Sequence, residues 1–268
     1  MPKEIKIGFI GFGNMAQAMA KGFLRRGEIP GAQIFACAKH WDKLTRAADA
    51  LGVNPCETAE DVVRDSDLII AAVKPHLMEE VLAPLRKGLA EKVVLSVASG
   101  WDFDKLERLL GRSIHHISCM PNTPVAVGEG VVLLEDRHSL NDREYASLLE
   151  VLAPLGLVLS LPAAQKDAAG VLTGCGPAWA AMFLEALADA GVAQGLPRAV
   201  AYRLGAQMIA GTGKLQLDTG DAPAVMKDAV CSPGGTTIAG VKALERAGFR
   251  AAVMDAVDAV AARKKELN

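Results

Sequence analysis

Short continuous apolar runs alternate with amphipathic stretches from the start of the chain to residue 161. Residues 5–10 form an apolar run of strand length, and residues 14–26 repeat their apolar positions at helical spacing up to Gly27. A second pair follows: a strand over 33–37 and a helix over 41–51 closed by Gly52. The clearest strand is 68–73, which follows the polar Asp65-Ser66-Asp67 and stops at Lys74-Pro75, where the proline removes a ladder donor. Further strands are predicted over 92–97, 114–119, 131–134 and 158–161, most of them separated by helical patterns. Such alternation implies a mostly parallel sheet covered on both faces, and right-handed crossovers leave few topologies.

After Pro162 the pattern changes. The remaining chain is Ala- and Leu-rich, shows no strand pattern, and is punctuated by Gly and Pro. Residues 178–192 are apolar nearly all round, interrupted mainly by Glu185 and Asp189. A surface helix shows a narrower stripe, so this one should lie inside its domain or in a subunit interface. The predicted organisation is an α/β, Rossmann-type doubly wound domain over 1–161, then an all-α dimerisation and substrate-binding domain over 162–268.

Composition narrows the function classes. Of 268 residues, 51% are hydrophobic and 22% charged, with a formal net charge of -2. A dedicated nucleic-acid binder would need a basic surface, and a disordered chain would be more polar. No single apolar run approaches the roughly 20 residues of a membrane span, so neither nucleic acid nor membrane is expected as a partner. Lys3 and Lys6 ahead of apolar residues imitate a secretory signal, but Glu4, Asn14 and Gln17 interrupt that pattern. Cys37, Cys56, Cys119, Cys175 and Cys231 are scattered without metal-site or redox-motif spacing. Free thiols and a cytoplasmic location are therefore expected.

The most informative local motif is Gly11-x-Gly13-x-x-Ala16 between the first strand and first helix. In a dinucleotide-binding turn Gly11 makes the tight bend, Gly13 lets the backbone approach a pyrophosphate, and Ala16 permits close helix–strand packing. Amides at the helix start then face the anion. An NAD-selective site places an acid at the end of the second strand; here stand Cys37-Ala38-Lys39-His40. Lys39 suits a 2′-phosphate, and a solvated Lys-His pair on a loop is the alternative. The missing acid favours NADPH, with NADH accepted less well. Ala72, Val73, Lys74 and Pro75 end one central strand, and Ser96 to Gly100, with Ser99, end another; ligands of open α/β sheets sit at such ends.

Far downstream, Ser232-Pro233-Gly234-Gly235-Thr236-Thr237 precedes an amphipathic stretch. It reads as a loop entering a helix, with glycines exposing amides and threonines supplying capping hydroxyls, a combination suited to a small carboxylate. A capped turn that binds nothing has the same pattern.

This segment, followed by Ile238 to Glu245, resembles the signature of the pyrroline-5-carboxylate reductase family. So do IGFIGFGNMA at the N-terminus, AAVKP at 71–75, MPNTP at 120–124 and GCGPAW at 174–179, in the same order along nearly the whole chain. The resemblance implies NADPH-dependent reduction of 1-pyrroline-5-carboxylate to L-proline by a homodimer or higher homo-oligomer, with active sites drawing residues from both chains. It implies cofactor contacts at Gly11, Gly13, Asn14, Met15, Ala72, Val73, Lys74 and Pro75, with Asn54 near the adenosine end. Substrate contacts would fall on Ser232, Gly235, Thr236 and Thr237, and the Thr237 hydroxyl would lie near the ring nitrogen as the catalytic residue. Cys175 and Cys231 stand where the family often has hydroxyl residues, and Ala38-Lys39-His40 departs from its usual 2′-phosphate site.

Hydride addition to a cyclic imine requires mainly alignment of ring and cofactor, so no acid–base dyad is needed. His76, His115 and His116 are read as structural or solvated. Three alternatives share parts of the pattern: a β-hydroxyacid-dehydrogenase-like oxidoreductase, for which Lys166 is the nearest candidate lysine, a non-enzymatic NADP sensor, and a structural oligomer.

Overall fold

A computed structural model describes residues 5–25 and 29–267 of the chain. Lys3, Glu4 and Gly27, the expected stop of the first helix, lie outside the described residues. The chain divides into two compact units between Gly174 and Cys175.

The first unit is built on one eight-stranded sheet. Its strands are β1 (Ile7–Ile10), β2 (Ile34–Cys37), β3 (Asn54–Pro55), β4 (Leu68–Ala71), β5 (Val93–Ser96), β6 (His115–Pro121), β7 (Gly130–Glu135) and β8 (Gly156–Leu161). Helices α1 (Asn14–Arg25), α2 (Trp41–Leu51), α3 (Ala59–Asp65), α4 (Met78–Leu82), α5 (Arg86–Leu89), α6 (Phe103–Leu110) and α7 (Asp142–Leu152) connect them. The spatial order is β3-β2-β1-β4-β5-β6-β7-β8. β1 to β6 run parallel, β7 pairs antiparallel with β6, and β8 returns parallel to β7. Strands β1 and β4 are buried at every position, as strands covered on both faces must be. Successive side chains enter opposite layers: Phe9, Ile70 and Leu95 join one apolar cluster, and Ile10, Ile69 and Val94 the other.

Helix α8 (Ala163–Ala193) begins the helical part, and α9 (Arg198–Thr219), α10 (Pro223–Ala229), α11 (Thr236–Arg246) and α12 (Phe249–Leu267) follow. The unit division falls inside α8, past the compositional change at Pro162, because its first turns are tied to the sheet. Lys166 Nζ donates to Glu135 Oε2 at 2.8 Å, and Asn122 Nδ2 donates to the Thr173 carbonyl at 3.1 Å. α8 also corrects the reading by apolar run length. As a continuous helix of 31 residues it is long and apolar enough to cross a membrane by length and composition, although isolated charges divide its sequence into shorter runs.

Of the two placements expected for 178–192, inside its own domain or in a subunit interface, the first is not what the second unit shows. Met182 is 68% exposed, and Leu204, Leu215, Leu217 and Met254 are exposed as well. Trp179, Met182, Phe183, Leu244, Phe249 and Val253 line an open apolar groove of about 500 Å³, where Phe183 and Phe249 lie with ring centroids 5.9 Å apart.

Candidate active site

The register of the first unit brings the predicted cofactor segments to one edge. Ile10 pairs with both Cys37 and Ala71, Ala71 with Ser96, and Ser96 with Ser118. The residues that follow, Gly11, Ala38, Ala72 and Val97, therefore leave the sheet side by side at its carboxyl edge. Strand order reverses between β1 and β4, and open α/β sheets bind ligands outside the carboxyl ends at this switch point.

The loop after β1 fits a diphosphate. Gly11 has φ +90°, a conformation that disfavours any side chain, and its amide donates to the Cys37 carbonyl at 3.0 Å. A Cβ on Gly11 would lie 2.7 Å from the Ala72 carbonyl oxygen. Gly13 is exposed, and a Cβ there would meet nothing within 4 Å, so the approach to its backbone is open. The Gly13 carbonyl accepts from Gln17 N at 3.0 Å and starts α1. The amides of Asn14 and Met15 in the first turn have no intrahelical acceptor and are available to an anion.

The loop after β4 is bound to the glycine loop, since Ala72 N donates to the Ile10 carbonyl at 2.8 Å. Lys74 is exposed, and Pro75 opens a short 3-10 turn. Ser99 is exposed in the loop after β5. Lys39 and His40 are exposed after β2, with His40 ending the loop immediately before α2. The Asn54 side-chain amide lies 3.0–3.3 Å from the carbonyls of Gly31, Ala32 and Ile34, at the amino end of β2, and braces the strand entry.

Sequence reasoning missed a buried polar cluster in the same unit. Lys166 Nζ donates to Ser118 Oγ at 2.5 Å as well as to Glu135, and the Ser118 hydroxyl donates to the Trp101 carbonyl at 2.6 Å. The only available signals were Glu135 ending an apolar strand and Lys166 opening an apolar helix. Lys166 is 4% exposed and bonded to both Ser118 and Glu135, so it is not a free amine. His115 and His116, read as structural or solvated, each meet a carboxylate. His115 Nδ1 lies 2.6 Å from Glu144 Oε2, and His116 Nε2 lies 2.9 Å from Glu107 Oε2. Burial pushes the His116 imidazole below its usual range, against the opposing pull of Glu107.

In the second unit, Ser232 to Gly235 form a tight turn into α11. Gly235 N donates to the Ser232 carbonyl at 3.0 Å, and Gly234 has φ +68°. The expected capping threonines are not caps: Gly235 occupies the N-cap position without a side-chain bond, and α11 begins at Thr236. Both threonines are consequently exposed in the first helical turn, beside amides with no intrahelical acceptor. That is a donor-rich surface suited to a carboxylate.

The family model for pyrroline-5-carboxylate reductase dimerisation matches residues 163–267. A model described as NADP oxidoreductase coenzyme F420-dependent matches residues 6–100. The chain is 43% identical to the pyrroline-5-carboxylate reductase of Treponema pallidum, over 95% of this chain and 98% of that one. The chain belongs to the pyrroline-5-carboxylate reductase family. The Escherichia coli reductase is 38% identical over 99% of both chains. A crystal structure of Plasmodium falciparum pyrroline carboxylate reductase with NADP bound superposes with a TM-score of 0.87 at 31% identity, covering 98% of each chain.

Proposed function

We propose that the chain reduces 1-pyrroline-5-carboxylate to L-proline with NADPH, the last step of proline biosynthesis. The observation that carries this reading is the Ser232–Thr237 turn, whose exposed first-turn amides and hydroxyls match an anionic substrate of this family. When bound, NADPH supplies the hydride that becomes the new C–H bond at C5 of the imine. Gly11, Gly13, Asn14 and Met15 present backbone to its diphosphate, Ala72 to Pro75 and Ser99 line the same edge, and Lys39 attracts the 2′-phosphate. This makes NADPH preferred and NADH the poorer donor.

Ser232, Gly235 and Thr236 hold the substrate carboxylate, and the Thr237 hydroxyl bonds the ring nitrogen and orients the imine. The nitrogen gains one proton as C5 gains the hydride, so the product is the cyclic amine. Alignment is the main catalytic contribution. The division of labour is a dinucleotide-binding domain over 1–161 and a substrate and dimerisation domain over 162–268. The exposed apolar side chains of the helical unit become an interface in a homodimer or larger homo-oligomer. Five free cysteines suit the reducing cytoplasm.

The test is NADPH oxidation followed at 340 nm with pyrroline-5-carboxylate, compared with NADP reduction by a panel of β-hydroxyacids. Turnover of the imine alone is expected. Turnover of a hydroxyacid instead would favour the β-hydroxyacid dehydrogenase reading, and cofactor binding with no turnover would favour a sensor.

A further inference from the structure

The loop after β5 is fixed at three points. Ser118 Oγ donates to the Trp101 carbonyl at 2.6 Å. The Phe103 amide lies 3.2 and 3.3 Å from the two Glu135 oxygens. Lys105 Nζ reaches the Gly100 carbonyl at 2.7 Å. Ser118 and Glu135 are in turn joined by the Lys166 ammonium, and all three side chains are almost completely buried. Out of this anchored loop the Trp101 indole Nε1 donates to the Pro75 carbonyl at 2.9 Å. Pro75 closes the Ala72–Pro75 segment, and its carbonyl also accepts from the Met78 amide.

A buried ion pair adds little stability over apolar side chains of similar size, because desolvation offsets the attraction. Its distinctive effect is to fix geometry. Here that geometry runs from Lys166 through Ser118 to Trp101, and from the indole to the loop after β4. It sets the spacing between the two loops that carry Ala72–Pro75 and Ser99.

We propose that Trp101 is a positioning residue for the cofactor, holding the Ala72–Pro75 segment through Pro75 and itself held by the Lys166–Ser118–Glu135 cluster. The proposal rests on reading those two loops as cofactor-bearing. It assigns Trp101 no contact with substrate or reacting atoms. Its effect is to keep the segment in its binding conformation before the cofactor arrives, which lowers the ordering cost of binding.

The experiment replaces Trp101 by Phe, which keeps a ring and removes the donor, and separately makes Ser118→Ala. Calorimetric titration with NADP+ reads binding without turnover, and steady-state kinetics read KM and kcat. Trp101→Phe is expected to weaken NADP+ about fivefold, the size of one lost hydrogen bond. The NADPH KM should rise in parallel, with kcat and the imine KM within about twofold of the parent on the same scale. Ser118→Ala should move the same quantities in the same direction. A lowered melting temperature with parental NADP+ affinity in Trp101→Phe would overturn the proposal, as would loss of the folded state in both variants. If the parent binds NADP+ but never reduces the imine, the functional reading fails while the binding comparison still decides the role of Trp101.

Discussion

The Ala72 carbonyl oxygen lies 2.7 Å from the point where a side-chain carbon on Gly11 would stand. Two loops from different strands thus approach too closely for any residue but glycine, and the positive φ of Gly11 adds a second constraint. Gly11→Ala must both accept a conformation costing roughly 1–2 kcal/mol and push the Ala72 segment away. The expected result is at least a tenfold loss of NADPH affinity, on the order of 1.4 kcal/mol. Titration of NADPH fluorescence measures it, and parental affinity would remove the glycine loop from the cofactor site.

Thr237 is exposed in the first turn of α11. Thr237→Ala removes the proposed contact to the ring nitrogen while leaving the turn and its amides in place. A fall of about 10- to 100-fold in kcat/KM for the imine is expected, the range of a hydrogen bond to a charged group. NADP+ affinity should be unchanged. Steady-state kinetics at saturating NADPH decide it, and Thr237→Ser, which restores the hydroxyl, should recover most of the rate.

Lys39 is exposed at the end of β2, on the loop that leads into α2. Lys39→Glu places a negative charge where the 2′-phosphate is proposed to bind. NADPH should weaken by at least about tenfold and NADH by less than about twofold, with the difference shrinking as salt rises. Equal losses for the two cofactors would return Lys39 to the role of a solvated loop residue.

His116 is fully buried, with Nε2 against Glu107 and no hydrogen-bond partner for Nδ1 among the described residues. Protonation would place a second N–H on that unpaired nitrogen, so burial and geometry both hold the ring neutral, with its pKa below the ordinary 6.5. The unfolded chain then takes up this proton first as pH falls. The stabilisation is fully present above the unfolded pKa and is lost as pH drops through the lower folded pKa. Urea unfolding across that acid range should show decreasing stability, and His116→Gln should flatten the decrease. An unchanged slope in the variant would assign the acid sensitivity elsewhere.

Much of the first unit was legible because its signals are local. Of the uninterrupted run at 68–73, Leu68–Ala71 became a strand buried throughout, and Gly52 closed α2 in the left-handed conformation, with φ +67°. The Gly11 turn was readable because spacing and conformational need coincide at one residue. The bonds of the Asn54 amide to carbonyls at the amino end of β2 were not legible, because a residue's identity says nothing of its partners. Thr236 and Thr237 read as caps in the sequence because a hydroxyl before a helix usually is one. Here Gly235 is the cap, and its Cβ position lies 2.3 Å from Ser232 Oγ, so a side chain there would have to displace that hydroxyl. The Lys166 cluster joins residues 31 and 48 positions apart, so no window along the chain contains it.

The apolar surface of α8 and α9 has a thermodynamic consequence. Side chains such as Met182, Leu204 and Leu217 remain in water in the isolated chain, so a second copy that covers them acts on the folded state as a ligand does. The helical unit should melt at higher temperature as the protein is concentrated, whereas the sheet unit should be indifferent to dilution. Scanning calorimetry at two concentrations about a hundredfold apart would separate the two by mass action alone.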